Sequence, residues 1–144
     1  MVNNPYIIIQ ARMNSERLPS KVMKTIQGLP LIGILIERIK KADIPILLAT
    51  STNKENDELV DYVESLGIAT YRGSENNVLK RFYEAAKMVN ADAIIRVTGD
   101  NPLLDGLFLK EQYQRFIKSE GVNNYLSTGL SKSFPLGVSV EIFS

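Results

Sequence analysis

The 144-residue sequence contains no cysteine, no histidine and no tryptophan. Without cysteine there is no disulfide scaffold, thiol nucleophile, thiolate zinc site or iron–sulfur cluster. Without histidine there is no Ser-His-Asp triad, no imidazole base and none of the commonest transition-metal ligand. Long apolar runs are missing too. The longest, Leu29 to Ile36, falls far short of the roughly 20 residues that cross a bilayer. The N-terminus lacks the basic stretch and apolar core of a secretory leader, so a cytoplasmic protein without membrane contact is expected. A strong charge is also absent. With 17 basic and 16 acidic residues the net charge is +1, not the basic excess of a nucleic-acid binder. Chemistry is left to carboxylates, lysine, arginine, hydroxyls, backbone dipoles and an oxygen-bound cation.

What is present is the composition of one folded domain over residues 1–144: 44% hydrophobic, 23% charged, with 9 glycines and 6 prolines. The charge is unevenly spread. Residues 1–50 hold seven basic groups against three acidic ones, whereas residues 51–144 hold ten against thirteen. A small positive zone near the N-terminus suits a compact anion better than a long polyanion.

Hydrophobic periodicity switches along the chain between strand and helix. Tyr6 to Ile9 and Ile46 to Ala49 are short apolar runs that read as buried strands, with further strands over 68–71, 93–97 and 138–143. Helices are expected over 30–42, with Pro30 at the first position and Leu31, Leu35 and Ile39 on one face. Others are expected over 55–66, stopped by Gly67, over 76–89, with Val78, Leu79, Phe82 and Ala86 inward, and over 106–119. Phe82, Tyr83, Tyr113 and Phe116 lie at helical spacing and read as core. Repeated strand–loop–helix units with short connections predict an α/β fold with a mostly parallel sheet. Ligands of such sheets bind beyond the carboxyl ends of the strands, which singles out loops 10–24, 50–57, 72–77 and 98–105.

The first loop, Gln10-Ala11-Arg12-Met13-Asn14-Ser15-Glu16-Arg17-Leu18-Pro19-Ser20-Lys21, places three cations within ten residues. Two guanidiniums and an ammonium supply the converging donors that a triphosphate needs, and small residues let backbone N–H groups approach. A solvated basic loop satisfies the same spacing. There is no G-x-x-x-x-G-K-[ST] and no G-x-G-x-x-G, so P-loop enzymes and typical dinucleotide binders are excluded. In Arg96-Val97-Thr98-Gly99-Asp100-Asn101-Pro102-Leu103-Leu104-Asp105, Asp100 follows a buried strand and a glycine. There it either holds Mg2+ against a phosphate or bonds its own turn. Asp105 precedes a helix and reads chiefly as its cap. Ala49 to Asn53 and Arg72-Gly73-Ser74-Glu75-Asn76-Asn77 are polar loops able to meet a base or ribose, or simply to turn.

Together the blocks Ile8 to Lys21, Ala49 to Asn53, Arg72 to Glu75 with Val78-Leu79-x-Arg81-Phe82, Arg96 to Asp105 and Pro135-x-Gly137-Val138-x-Val140-Glu141-Ile142-Phe143-Ser144 resemble the cytidylyltransferases that activate sugar acids, such as the acylneuraminate and 3-deoxy-manno-octulosonate enzymes. Within these they are most similar to the spore coat polysaccharide biosynthesis (SpsF) group. The resemblance implies a three-layer α/β/α, Rossmann-like nucleotide-diphosphosugar transferase fold of the GT-A type, with CTP as co-substrate and Mg2+ as cofactor. It implies transfer of CMP to a sugar or sugar-acid hydroxyl with release of pyrophosphate. Arg12, Lys21 and Asp100 would be catalytic, Asp100 as metal ligand. Gln10, Ala11, Ser15, Arg17, Arg72, Ser74 and Thr98 would help bind the nucleotide. Asn101, Asp105 and Glu141 would face the acceptor. The family domain runs beyond Ser144, where a second metal-binding carboxylate and much of a homodimer contact are expected. Ser139 stands where the group carries Asp, and Asn14 where it carries Gly. A glycosyltransferase using a nucleotide-sugar and a catalytically silent nucleotide-binding or assembly module are the competing readings.

Overall fold

The computed structural model describes residues 3–15, 18–119, 124–129 and 138–144. Strand β1 (Pro5–Gln10) carries Ile7, Ile8 and Ile9, all fully buried. Both faces of this strand are covered, which is why its apolar run does not alternate. A polar loop and one 3-10 turn (Lys21–Met23) follow. A small hairpin comes next, β2 (Thr25–Ile26) against β3 (Leu29–Pro30). It turns on Gln27 and Gly28, both left-handed with φ 51° and 83°, the conformation that matches strand twist in tight hairpins.

Helix α1 (Leu31–Ile39) is shorter than the periodicity suggested, and a 3-10 turn over Lys40–Ala42 completes the expected span. Pro30 is not its first helical residue. Its ψ of 144° is extended because the hairpin holds it, and the helix begins one residue later. Then come β4 (Ile46–Ser51), a 3-10 turn (Lys54–Asn56) and α2 (Asp57–Ser65), after which Gly67 at φ 77° reverses the chain. β5 (Ala69–Gly73), α3 (Val78–Met88), β6 (Ala93–Thr98) and α4 (Gly106–Lys118) complete the alternation. β7 (Tyr125–Ser127) was not foreseen, and β8 (Glu141–Phe143) is the end of the expected last strand.

The six-stranded sheet runs β5-β4-β1-β6-β8-β7. β5, β4, β1 and β6 are parallel, while β8 lies antiparallel between β6 and β7. Ile7, Ile9, Leu48, Ile95 and Val97 pack on one face against α1, α2 and α4. Ile8, Leu47 and Ala49 pack on the other against Phe82, Ala85 and Ala86 of α3. The architecture is the α/β/α sandwich expected. Phe116 and Phe82 are core, but Leu79 is 79% and Tyr83 64% exposed. Both expectations for these two residues fail because α3 buries only the narrow stripe that meets β1 and β4. Among the described residues no helix is long and apolar enough to cross a membrane. Because the four parallel strands point one way, the loops after β1, β4, β5 and β6 all emerge at one end of the sheet.

Candidate active site

β1 and β6 run in register from Pro5 against Ala93 to Gln10 against Thr98, and the Gly99 N–H extends the ladder to the Gln10 carbonyl at 2.8 Å. A Cβ at Gly99 would lie 2.6 Å from Ala11 Cβ and 3.1 Å from Ile32 Cδ1. Only glycine lets the two strand ends close here, and they form the floor of a cleft.

The loop after β1 folds around Met13. That side chain is buried, and its carbonyl accepts from Ser15 N at 3.1 Å and Ser20 N at 2.8 Å. Its N–H donates to Asn56 Oδ1 at 2.9 Å, and Asn56 Nδ2 donates to Ser51 Oγ at 2.7 Å. With Met13 pinned inward, its neighbours Arg12 and Asn14 line the cleft. A lone buried apolar residue in a polar loop was the available signal for this anchor, and sequence reasoning missed it together with Asn56.

The cleft measures about 540 Å3 and is lined by Gln10, Ala11, Arg12, Ser15, Lys21, Thr98 and Asp100, with Asn14, Leu18, Val22 and Gly99 between them. Seven of the residues singled out in the sequence therefore meet in one place. Lys21 Nζ donates to Asp100 Oδ2. Arg12 donates to Glu75 Oε1 at 2.8 Å, reaching across to the loop after β5. Burial opposes ionisation of Asp100, but the Lys21 ammonium, the Thr98 hydroxyl and the backbone N–H together outweigh it and hold the carboxyl below the usual aspartate range. Glu75 is likewise held below its ordinary range, first by the Ser51 hydroxyl beside it, then, against partial burial, by Arg12 and Arg81.

Other singled-out residues lie elsewhere. Arg72 ties β5 to the loop after β4, donating to Asp57 Oδ1 at 2.6 Å, Asn53 O at 2.8 Å and Ser51 O at 3.2 Å. Ser74 Oγ accepts from Asn77 N at 3.1 Å within its own turn. The Asn101 N–H closes a turn onto Thr98 O at 3.2 Å. Asp105 caps α4, accepting from Leu107 N at 2.9 Å and Phe108 N at 3.3 Å, which is the capping arrangement weighed in the sequence. Arg17, Pro135 and Gly137 lie outside the described residues.

Glu141 sits at a second, smaller hollow of about 290 Å3 that shares Thr98 with the first and includes Tyr125, Ser127 and Ser139. Its carboxylate accepts from Arg96 at 2.7 Å and from the Tyr125 hydroxyl at 3.0 Å. Arg96 also donates to Gln10 Oε1 at 3.3 Å, linking the two hollows.

Among the described residues no group of three or more acidic, histidine or cysteine side chains could enclose a metal ion. A single carboxylate at the rim of a cleft fits Mg2+ nonetheless, because that ion keeps several waters and is bound through one or two carboxylates plus substrate phosphates. Asp100, with the Thr98 hydroxyl beside it, is the side chain that meets this requirement.

Comparison with known proteins agrees with the geometry. The profile of the family described as Cytidylyltransferase matches residues 6–134. The chain is 40% identical over 139 residues to an uncharacterized protein of Methanocaldococcus jannaschii, covering 95% of this chain and 55% of that one. It is 33% identical over 147 aligned positions to the spore coat polysaccharide biosynthesis protein SpsF of Bacillus subtilis, covering 98% and 59%. A solved cytidylyltransferase from Leptospira borgpetersenii superposes with a TM-score of 0.90 at 31% identity, over 98% of this chain and 60% of that one. The chain thus spans a little over half the length of these relatives.

Proposed function

The chain belongs to the cytidylyltransferase family, and from that premise we propose that it binds CTP and transfers CMP to the hydroxyl of a sugar or sugar acid, releasing pyrophosphate, in the synthesis of a surface polysaccharide or glycoconjugate. The observation that carries this reading is the convergence of Arg12, Lys21 and Asp100 on one cleft at the carboxyl ends of β1 and β6. Two cations and a carboxylate on a backbone-lined floor form a donor set for a triphosphate with its metal, and nothing in that set needs a histidine or cysteine. The pathway follows the printed name of the SpsF relative.

Attack of the acceptor hydroxyl on the α-phosphorus forms one phosphorus–oxygen bond and breaks the bond from that phosphorus to the oxygen bridging the α- and β-phosphates, which leaves as a terminal oxygen of pyrophosphate while the hydroxyl proton passes to water. The protein's contribution is positioning and charge neutralisation rather than covalent chemistry. Lys21 exchanges its carboxylate partner for phosphate oxygens, while Arg12 keeps Glu75 on one terminal nitrogen and turns its remaining N–H groups to phosphate, and the donors of both stabilise the charge that moves onto the leaving group. Arg17 in the same loop is assigned to assist them. With Lys21 turned to phosphate, Asp100 would hold Mg2+, and the ion would supply further charge neutralisation for the pyrophosphate. Gln10, Ala11, Ser15 and Thr98 form the wall along which the nucleotide lies, and the loop carrying Arg72 and Ser74 closes its outer side. The acceptor is assigned to the adjoining hollow, where Glu141 and the hydroxyls of Ser127 and Ser139 match a polyhydroxylated ligand. Asn101, in the turn after β6, is assigned to the same side, whereas the Asp105 carboxylate is committed to capping α4.

Calorimetric titration with CTP, with and without Mg2+ and against UTP, GTP and ATP, tests the nucleotide half. Selective binding of CTP, strengthened by Mg2+, is expected. Absence of binding to every nucleotide would remove the proposal, and binding without pyrophosphate release across sugar and sugar-acid acceptors would reduce it to a nucleotide-binding module.

A further inference from the structure

Arg81 lies in the first turn of α3 and is the largest fully buried side chain among the described residues, only 1% exposed. Among those residues it makes no ion pair. Burial pulls its pKa down, against the opposing pull of the Glu75 charge. A buried charge without a directed counterion is costly, and a leucine or methionine would serve the packing of α3 without that cost. The guanidinium is therefore retained for what it holds.

What it holds is the loop after β5. One terminal nitrogen of Arg81 donates to both the Ser74 carbonyl and the Glu75 carbonyl, the latter at 3.3 Å. The chain makes room for this reach: a Cβ at Gly73 would sit 3.2 Å from Arg81 Cγ and 2.7 Å from Tyr71 Cε1. With the backbone of Ser74 and Glu75 fixed, the Glu75 carboxylate meets Arg12 at 2.8 Å. Arg12 in turn lines the large cleft, whereas Arg81 does not. Three separate parts of the chain are thus joined in series: α3, the loop after β5 and the loop after β1.

We infer that Arg81 is a positioning residue, which sets Arg12 over the cleft by way of the Ser74–Glu75 backbone and the Glu75 carboxylate. This rests on the phosphate-binding role given above to Arg12. It predicts that Arg81 influences ligand affinity without touching ligand, and only while Arg12 is present.

The test is a thermodynamic cycle on the full chain, reading calorimetric affinity for tripolyphosphate and for CTP alongside urea unfolding. Arg81→Met is expected to weaken binding of both by about tenfold, Arg81→Lys to recover part of that loss, and Arg81→Met to cost nothing further in an Arg12→Ala background. A lowered unfolding midpoint with unchanged affinity would overturn the inference, leaving Arg81 a packing residue. An undiminished loss in the Arg12→Ala background would overturn it as well. Should Arg81→Met not fold, the same cycle with Arg81→Lys decides, and Glu75→Gln, which keeps the loop contacts of Arg81, is expected to show the same dependence on Arg12. Tripolyphosphate carries neither base nor ribose. Coupled tripolyphosphate binding with CTP bound no better would sustain the inference while removing the cytidylyl reading, and no binding of either by the unaltered protein would overturn both.

Discussion

Arg12 and Lys21 are the two side chains on which the phosphate assignment stands, and each is already paired with a carboxylate, Glu75 and Asp100. Replacing either by alanine removes a charge-assisted contact of about 1.5–3 kcal/mol. Arg12→Ala and Lys21→Ala are each expected to weaken CTP binding accordingly, measured by calorimetry, and unchanged affinity in both would reject the assignment. Asp100→Asn is expected to abolish the Mg2+ dependence of binding while leaving the fold intact. At this scale the sequence was informative about which residues meet in one cleft. The cations at 12 and 21 and the carboxylate at 100 were visible as residue types placed after strands. Arg72 was equally visible, yet its donors are consumed by Asp57, Asn53 and Ser51. Glu75 and Arg81 stayed hidden in the opposite way. Their roles come from partners such as Arg12, 63 residues from Glu75, which no local spacing encodes.

The elements show which local rules held and which were overridden. Asp105 is a cap in sequence and in space, and Asp105→Ala is expected to destabilise the protein by about 1 kcal/mol through the lost N-terminal hydrogen bonds of α4, read from the urea midpoint. Gly67 ended α2 as its position suggested. Pro30 obeyed proline's restricted φ but joined a hairpin rather than a helix, because Gln27-Gly28 turns the chain just before it. A pair of two-residue strands is too brief for periodicity to register. Helix α3 was located correctly and its rotation misjudged: Leu79 and Tyr83 are apolar but flank the buried stripe, while the charged Arg81 is inside it. Where β1 meets β6, Gly99→Ala is expected to cost about 1–3 kcal/mol, since the new methyl would overlap Ala11 and press the strand ends apart. The same substitution should weaken CTP binding, because those ends are the cleft floor.

Over the whole molecule, the alternation of strand and helix made the layered architecture legible, and the fully apolar runs made the parallel core legible. Strand order was not. Nothing local indicates that β8 runs backwards between β6 and β7, because that pairing is settled by long-range contact with the edge of β6. Stability against acid is also a property of the assembled molecule. Glu75 and Asp100 both titrate below their ordinary ranges in the folded chain, so each contributes stability above its unfolded pKa that disappears as pH falls through the folded value. The urea midpoint is expected to fall as pH drops through and below the ordinary carboxylate range of about 4, and Glu75→Gln should make that fall shallower. The same two carboxylates shape how the resting protein meets its surroundings. The two described cations of the cleft, Arg12 and Lys21, each have a counterion supplied from 63 or 79 residues away, so their charges are offset before any ligand arrives. A compact anion such as free phosphate brings one group to compete with those carboxylates. A ligand that offers several linked negative groups competes for Arg12 and Lys21 in one event, and discrimination by how many groups arrive together is the expected consequence.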